Sequence, residues 1–115
     1  MEIEVVKIYK GEKEMIVLKV TQLCNIGRYI LFDTTYEENG AVSNRHRHSF
    51  IFPNLNVSAG DYIILHTDSG TNRTFINKGK TKTYEFYWGL ETSVWNQKED
   101  NALLVKMEEF RNFVV

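Results

Sequence analysis

The chain has 115 residues, which suits one domain and is too short for two of ordinary size. Apolar residues make up 43% of it and include seven Phe, six Tyr and two Trp, a content that excludes a disordered chain and allows a core without metal or disulfides. The formal net charge is −1, with 14 basic and 15 acidic residues, so the basic excess typical of nucleic-acid-binding modules is missing. Cys24 is the single cysteine, which excludes an internal disulfide and a multi-cysteine zinc site, and its apolar neighbours favour a buried structural thiol.

The first residues and the hydropathy of the chain give an expectation about location. Met1-Glu2-Ile3-Glu4 is acidic and strand-like, unlike the basic start of a signal peptide. No apolar run approaches the ~20 residues needed to span a bilayer. We therefore expect a cytoplasmic protein with no membrane contact, or a secreted one if a leader has been removed.

Short β-branched and aromatic runs, separated by turn residues, predict strands along most of the chain. The predicted strands are residues 3–9, 14–20, 28–35, 48–52, 62–67, 84–88, 102–107 and 110–115. The first two and the last two of them are predicted hairpins, and residues 68–80 are a predicted long loop. Helical periodicity is nearly absent, with residues 97–107 the one segment open to either interpretation. Seven to nine short strands predict an all-β fold, an antiparallel β-sandwich formed by one domain over residues 1–115.

Five motifs in the C-terminal half occur in the order and at the spacing of a known family. They are Gly60-Asp61-Tyr62-Ile63-Ile64-Leu65-His66-Thr67, Ser69-Gly70-Thr71, Tyr87-Trp88-Gly89, Ser93-Val94-Trp95-Asn96 and Asp100-Asn101-Ala102-Leu103-Leu104-Val105. Together they resemble the lamin-tail domain family, and this resemblance implies an immunoglobulin-like sandwich. Lamin-tail domains have been linked to DNA and chromatin partners. The resemblance therefore makes a partner of this kind an expectation for this chain. Lys106 to Phe110 lack the family's usual glycine, so we expect a different final turn.

The aromatic residues within these motifs also have a purely architectural interpretation. Trp88 and Trp95 each bury a large ring whose N–H needs an acceptor, which fixes how a loop meets a strand. Asn96 suits turn geometry and can hydrogen-bond to backbone across the same loop. We therefore expect these three residues to hold the fold together rather than to form a ligand site.

The three histidines are candidate metal ligands. His46 and His48 are two apart, so on a strand both would face one side, and His66 could supply a third ligand. No acidic residue lies at a clear ligand spacing, however, and Arg45 and Arg47 would repel a cation. Solvated histidines are therefore favoured, and the sequence predicts no metal and no cofactor.

Two groups of basic residues are candidates for binding polyanions. The first is Arg45, His46, Arg47 and His48, and the second is Arg73, Lys78, Lys80 and Lys82. If both groups lie on one face, they could bind phosphates or an acidic protein surface. The competing interpretation is that both are charged loops that simply face water.

Known catalytic patterns are absent from the sequence. His66, Asp68 and Ser69 are too close together along the chain to form a triad, which is assembled from separated elements. Residues 68–71 lack the lysine of a phosphate-binding loop, and no dinucleotide-binding glycine pattern occurs. We therefore expect that the protein is not an enzyme.

The sequence favours a binding or scaffold module that contacts an unknown protein partner or associates with itself through an exposed strand edge. Candidate interface residues are Phe110, Phe113, Val114 and Val115, because so apolar a chain end is expected to pack on something. The alternative is nucleic-acid or polyanion binding through the basic groups, with DNA possible but not favoured. A metal-dependent hydrolase built on the three histidines is a third hypothesis.

Overall fold

The computed structural model describes residues 1–35, 48–95 and 100–115. The regular secondary structure in these ranges is almost entirely β-strand, with one 3₁₀ turn at Ile26–Arg28. No helix in the described part is long and apolar enough to cross a membrane. The ten described strands are β1 (Ile3–Tyr9), β2 (Met15–Val20), β3 (Cys24–Asn25), β4 (Tyr29–Thr35), β5 (His48–Ile51), β6 (Asn56–Val57), β7 (Tyr62–His66), β8 (Arg73–Ile76), β9 (Lys82–Tyr87) and β10 (Asp100–Lys106).

The strands form two main sheets and a small ribbon. The larger sheet has the order β1-β2-β7-β9-β8, the smaller has the order β10-β4-β5, and β3 pairs with β6. Neighbouring strands run antiparallel everywhere except between β7 and β9, which are parallel. The predicted all-β sandwich is thus confirmed, while the parallel pair and the count of ten described strands are details in which the structure differs from the expectation.

Two segments differ from the predicted strand pattern. The predicted loop at residues 68–80 contains β8, which pairs with β9 to form a hairpin. The predicted strand at residues 110–115 does not form, and the chain after β10 is irregular. The prediction of a final hairpin is therefore wrong. The segment from Lys106 to Phe110 contains no glycine that could form a tight turn.

The core lies between the two main sheets and follows from period-two alternation. In β2 and β7 every second side chain is buried, which places Ile16, Leu18, Ile63 and Leu65 on the inner face of the larger sheet. The smaller sheet adds aliphatic and aromatic side chains from β4, β5 and β10 to the same cluster. Phe50 on β5 packs against Phe86 on β9 with 6.3 Å between ring centroids, so the two sheets meet directly.

The hydroxyl of Tyr29 joins β4 to the residue that precedes β1. Tyr29 on β4 is fully buried, and its hydroxyl donates to Glu2 Oε1 at 3.1 Å and accepts from the Glu2 backbone N–H at 3.3 Å. Burial raises the pKa of Tyr29 to about 12. Lys106 on β10 forms an ion pair with the same Glu2 carboxylate at 2.8 Å and lowers its pKa. The residue just before β1 is therefore held by both β4 and β10.

Buried carboxylates bind backbone amides at the ends of the sandwich. Glu14, only 3% exposed, accepts the backbone N–H of Val94 at 2.8 Å and that of Trp95 at 3.0 Å. Asp61 does the same for Ser58 and Lys82, at 2.9 and 3.0 Å. An ionised carboxylate that accepts two amide hydrogen bonds satisfies donors that would otherwise be orphaned in the interior.

We expect Glu14→Gln to lower the free energy of unfolding by about 2 kcal/mol, because a side-chain amide accepts one of the two N–H groups and turns its own N–H₂ toward the other. Urea unfolding monitored by tryptophan fluorescence measures the change. Glu12→Gln removes an exposed carboxylate in the same turn and should stay within about 0.5 kcal/mol of the parent. Equal effects of the two variants would show that the Glu14 hydrogen bonds do not matter for stability.

Candidate binding surface

The outer face of the larger sheet carries an unusual set of side chains. Strand register places them in three rows that cross the sheet, because directly paired residues share a face. The rows are Tyr9-Met15-His66-Tyr87, then Lys7-Val17-Ile64-Glu85-Arg73, then Glu4-Lys19-Tyr62-Thr83-Phe75. We call them the upper, middle and lower rows, in that order, and together they form the aromatic–basic face.

Three cations of the aromatic–basic face lie over aromatic rings of the same face. Lys7 Nζ is 4.6 Å from the centroid of the Tyr9 ring, and the Arg73 guanidinium carbon is 4.9 Å from that of Phe75. Lys19 Nζ lies 5.9 Å from the Tyr62 ring. These are cation–π distances, so each cation is held close to the sheet while its charge remains on the surface.

Glu85 is the buried anion in the middle row. It is 6% exposed, and its carboxylate accepts from His66 Nε2 at 2.8 Å and from Arg73 Nε at 3.0 Å. Burial alone would raise the pKa of Glu85, but the hydrogen bonds from His66 and Arg73 together lower it. The carboxylate is therefore ionised at neutral pH and holds both side chains in place.

Tyr87 completes the upper row of the face. Its ring stacks on His66 with 4.5 Å between centroids and 11° between planes, and its backbone N–H donates to the Asn72 side chain at 3.1 Å. Gly70 lies against the same ring, so close that a Cβ at this position would come within 2.3 Å of it. The loop before β8 thus packs on Tyr87 and fixes its orientation.

The turn between β8 and β9 places lysines beside this face. Asn77 organises the turn by accepting from the backbone N–H groups of Gly79 at 3.0 Å and Thr81 at 3.2 Å. A surface groove of about 510 Å³ lies where the turn meets the lower row. Its lining residues are Lys19, Gly60, Tyr62, Asn77, Lys78, Gly79 and Thr81.

The four residues of the second predicted basic group belong to one hairpin, but Lys82 pairs with Ile76 and therefore lies on the opposite face from Arg73. Arg73, Lys78, Lys80 and Lys82 all belong to the β8–β9 hairpin, with Arg73 on the aromatic–basic face and Lys78 in the groove. Of the other group, Arg45, His46 and Arg47 lie outside the described residues. His48 lies on β5, in the smaller sheet, so it does not join the hairpin lysines.

The two described histidines have separate environments. His48 Nδ1 is 3.0 Å from the fully buried carboxylate of Asp33, and its ring lies edge-on to Trp88 at 6.2 Å. His66 binds Glu85 on the outer face of the other sheet. Within the described ranges, no group of three or more His, Cys, Asp or Glu side chains is placed to hold a metal ion.

Cys24 is half-buried, and burial raises the pKa of its thiol, which keeps it protonated at neutral pH.

The predicted interface residues at the chain end are exposed. Phe110 is 63% exposed and Phe113 is 81% exposed, and Val114 and Val115 are fully exposed. Arg28 Nη1 donates to the Glu108 carbonyl at 2.8 Å, which is a described attachment of this segment to the sandwich. Phe110 also lines a second groove, of about 450 Å³, together with Arg28 and Phe52.

Sequence reasoning missed most of the aromatic–basic face. Lys7, Lys19 and Tyr62 come from three strands that are adjacent only in the folded sheet. Alternation within each strand does predict that these side chains point away from the core. What the sequence lacks is the order of the strands, which decides that the three residues lie on one surface.

Comparison of this chain with protein-family models, with curated proteins and with solved structures finds no match.

We expect Glu85→Gln to remove part of the acid sensitivity of the fold. Because the folded state lowers the Glu85 pKa below its ordinary value of 4.5, the carboxylate contributes stability above that pH and loses the contribution as the pH falls through the folded value. At neutral pH the variant should be less stable by about 2 kcal/mol, because the charge-assisted hydrogen bonds weaken.

Urea unfolding from neutral pH down to below 4.5 tests this expectation. The difference between parent and variant should shrink as the pH falls, whereas Glu12→Gln should show no such convergence. A constant difference across the range would contradict the assigned role of Glu85.

Proposed function

We propose that this protein is a non-catalytic protein-binding module that uses the aromatic–basic face to dock an acidic and apolar segment of a partner protein. The observation that carries the proposal is the arrangement of the face, in which apolar side chains lie between three cation–aromatic pairs. This arrangement has the anatomy of a recognition surface, with an apolar centre and a charged rim.

The centre of the face provides the apolar contact area. Val17 and Ile64 are direct cross-strand partners in the middle row, and Met15 is next to them in the upper row. All three are half-buried, so each still presents part of its side chain to solvent. Met adapts its shape to different partners, while Tyr and Arg are the side chains that most often dominate binding energy.

The rim of the face defines the charge of the partner. Lys7 and Lys19 project from β1 and β2, and Arg73 is 65% exposed although it is paired with Glu85. Lys78 adds a further cation in the adjacent groove. A partner that places carboxylates opposite these groups and apolar side chains opposite Val17 and Ile64 complements the face in both charge and hydrophobicity.

The environments of the histidines support a role other than catalysis. His66 is held between Glu85 and the Tyr87 ring, and His48 is held by Asp33 against Trp88. In the described ranges neither imidazole has a Ser, Thr or Cys hydrogen-bond partner that it could activate as a nucleophile.

Polyanion binding is a second candidate, and the groove at the β8–β9 turn is the observation that favours it. Lys19 and Lys78 both line the groove next to the Tyr62 ring, which suits a phosphate beside a stacked base. The two candidates differ in salt dependence, because a surface that neutralises several phosphates loses affinity steeply as salt increases. A mainly apolar contact loses much less.

Amide NMR titrations with three probes test the proposed function. The probes are a short peptide of alternating Leu and Glu, its counterpart of alternating Leu and Lys, and a short single-stranded oligothymidylate. We expect the Leu–Glu peptide to shift amides of β2, β7 and β9, because it supplies the complementary charge and apolar side chains, and we expect no such shifts with the Leu–Lys peptide.

A matched pair of variants controls this experiment. Ile64→Asp places an anion in the centre of the face and should weaken Leu–Glu peptide binding by roughly tenfold. Ile51→Asp makes the same change on the outer face of the smaller sheet, where Ile51 is 63% exposed, and should leave binding unchanged. Salt-sensitive shifts with the oligothymidylate alone would replace the proposal with polyanion binding, and the absence of shifts with every probe would refute both.

A further inference from the structure

Strand β1 forms one edge of the larger sheet and leaves apolar side chains exposed. Among the described strands it pairs with β2 alone, so its other side presents backbone N–H and C=O groups that no other described strand pairs with. Val5 is 41% exposed and Val6 is 46% exposed, although both belong to the strand. An exposed edge of this kind can accept a further strand from another chain.

A bulge in β1 changes which side chains share a face. Glu4 pairs with Lys19 and Lys7 pairs with Val17, whereas Val6 lies at the shift in register and has no partner on β2. Lys19 and Val17 both lie on the outer face of the sheet, so Glu4 and Lys7 lie there too. In a regular strand, two residues three positions apart would face opposite sides.

The same bulge puts two isoleucines on the inner face. Ile3 pairs with Val20 and Ile8 pairs with Ile16, and both partners are fully buried. The strand therefore has an acid and a base on one face, at equal distances along the chain from the Val5–Val6 peptide bond. Ile3 and Ile8 occupy the matching positions on the other face.

From this symmetry we infer that two copies of the chain associate by pairing their β1 strands antiparallel, about a two-fold axis that passes between Val5 and Val6. In this register Glu4 of each copy lies opposite Lys7 of the other, and Val5 lies opposite Val6. Ile3 lies opposite Ile8 on the inner face. Faces match at the Glu4–Lys7 and Ile3–Ile8 pairs, and the charges of Glu4 and Lys7 are opposite, which a strand without the bulge could not achieve.

The other edge of the sheet lacks this complementarity. Strand β8 contains one cation, Arg73, and no acidic residue, so no antiparallel pairing of two copies places opposite charges across its edge. Pairing through β1 joins two five-stranded sheets into one and places two aromatic–basic faces side by side. The inference stands on the edge strand alone and holds whether or not the aromatic–basic face binds a protein.

Charge reversal at the two paired positions tests the register. Glu4→Lys leaves lysine opposite lysine at both ends of the paired segment, and Lys7→Glu leaves two acidic pairs there. We expect each single variant to raise the dimer dissociation constant by roughly tenfold or more, as measured by sedimentation equilibrium over a range of concentrations. The double variant carrying both changes restores the opposite charges and should dimerise like the parent.

Mixing the two single variants gives the sharpest test. A copy with Glu4→Lys and a copy with Lys7→Glu complement each other at both charge pairs, so we expect a heterodimer where each variant alone is monomeric. Glu12→Lys makes the same charge change in the exposed turn after β1 and should dimerise normally. Thermal unfolding of each variant verifies that it remains folded.

Two outcomes would overturn the inference. A bulge on an edge strand often prevents pairing with another chain, so a parent protein that stays monomeric at all concentrations would show that this bulge serves that purpose. A dimer that forms equally in the parent, both single variants and Glu12→Lys would show that another surface carries the association.

Discussion

The two carboxylate oxygens of Glu14 hold together parts of the chain that are far apart in sequence. They accept the amide protons of Val94 and Trp95, and the Glu14 carbonyl accepts the backbone N–H of Thr67 at 3.2 Å. The turn that follows β1, the end of β7 and the segment after β9 therefore meet at one residue. Trp95 is fully buried, and its indole N–H donates to the Asn101 carbonyl at 3.4 Å, which carries the constraint on to β10. Glu14 is in this way fixed at the end of the apolar core.

The parallel pairing of β7 and β9 creates the aromatic–basic face. Parallel strands need a long connection between them, and here that connection contains β8 and the Asn77 turn. The pairing puts His66 beside Tyr87 and Ile64 beside Glu85. An antiparallel pairing of the same two strands would place different residues opposite each other and would separate the aromatic stack from the buried carboxylate. The chemistry of the face is thus a consequence of strand direction as well as of residue type.

Alternation of apolar residues predicted the strands that form the core, including β1 with both its ends and β2, β4, β5, β7 and β9 within two residues. Strand β8 was missed because its neighbours, Gly70 and Gly79, indicate a loop, and because all four of its residues are exposed. An edge strand that buries nothing leaves no periodic signal. The predicted strand at residues 110–115 has apolar residues, but it pairs with no described strand. The segment before it contains no glycine to form a tight turn back onto β10. The hairpin lysines could be grouped from sequence because they are close along the chain, whereas Lys7, Lys19 and Tyr62 required the order of the strands.

In the proposed dimer, the bulge in β1 is the local irregularity that specifies the register. A regular strand that pairs with its own copy about an axis between two residues would bring side chains from opposite faces into register, which no sheet permits. One extra residue removes this conflict, and it does so only for a pairing centred on the bulge. An irregularity that commonly protects an edge from indiscriminate pairing therefore leaves a single register compatible with both faces and both charges of this strand. In the proposed dimer the edge discriminates between strands by the positions of Glu4 and Lys7, since backbone hydrogen bonds alone do not distinguish one extended segment from another.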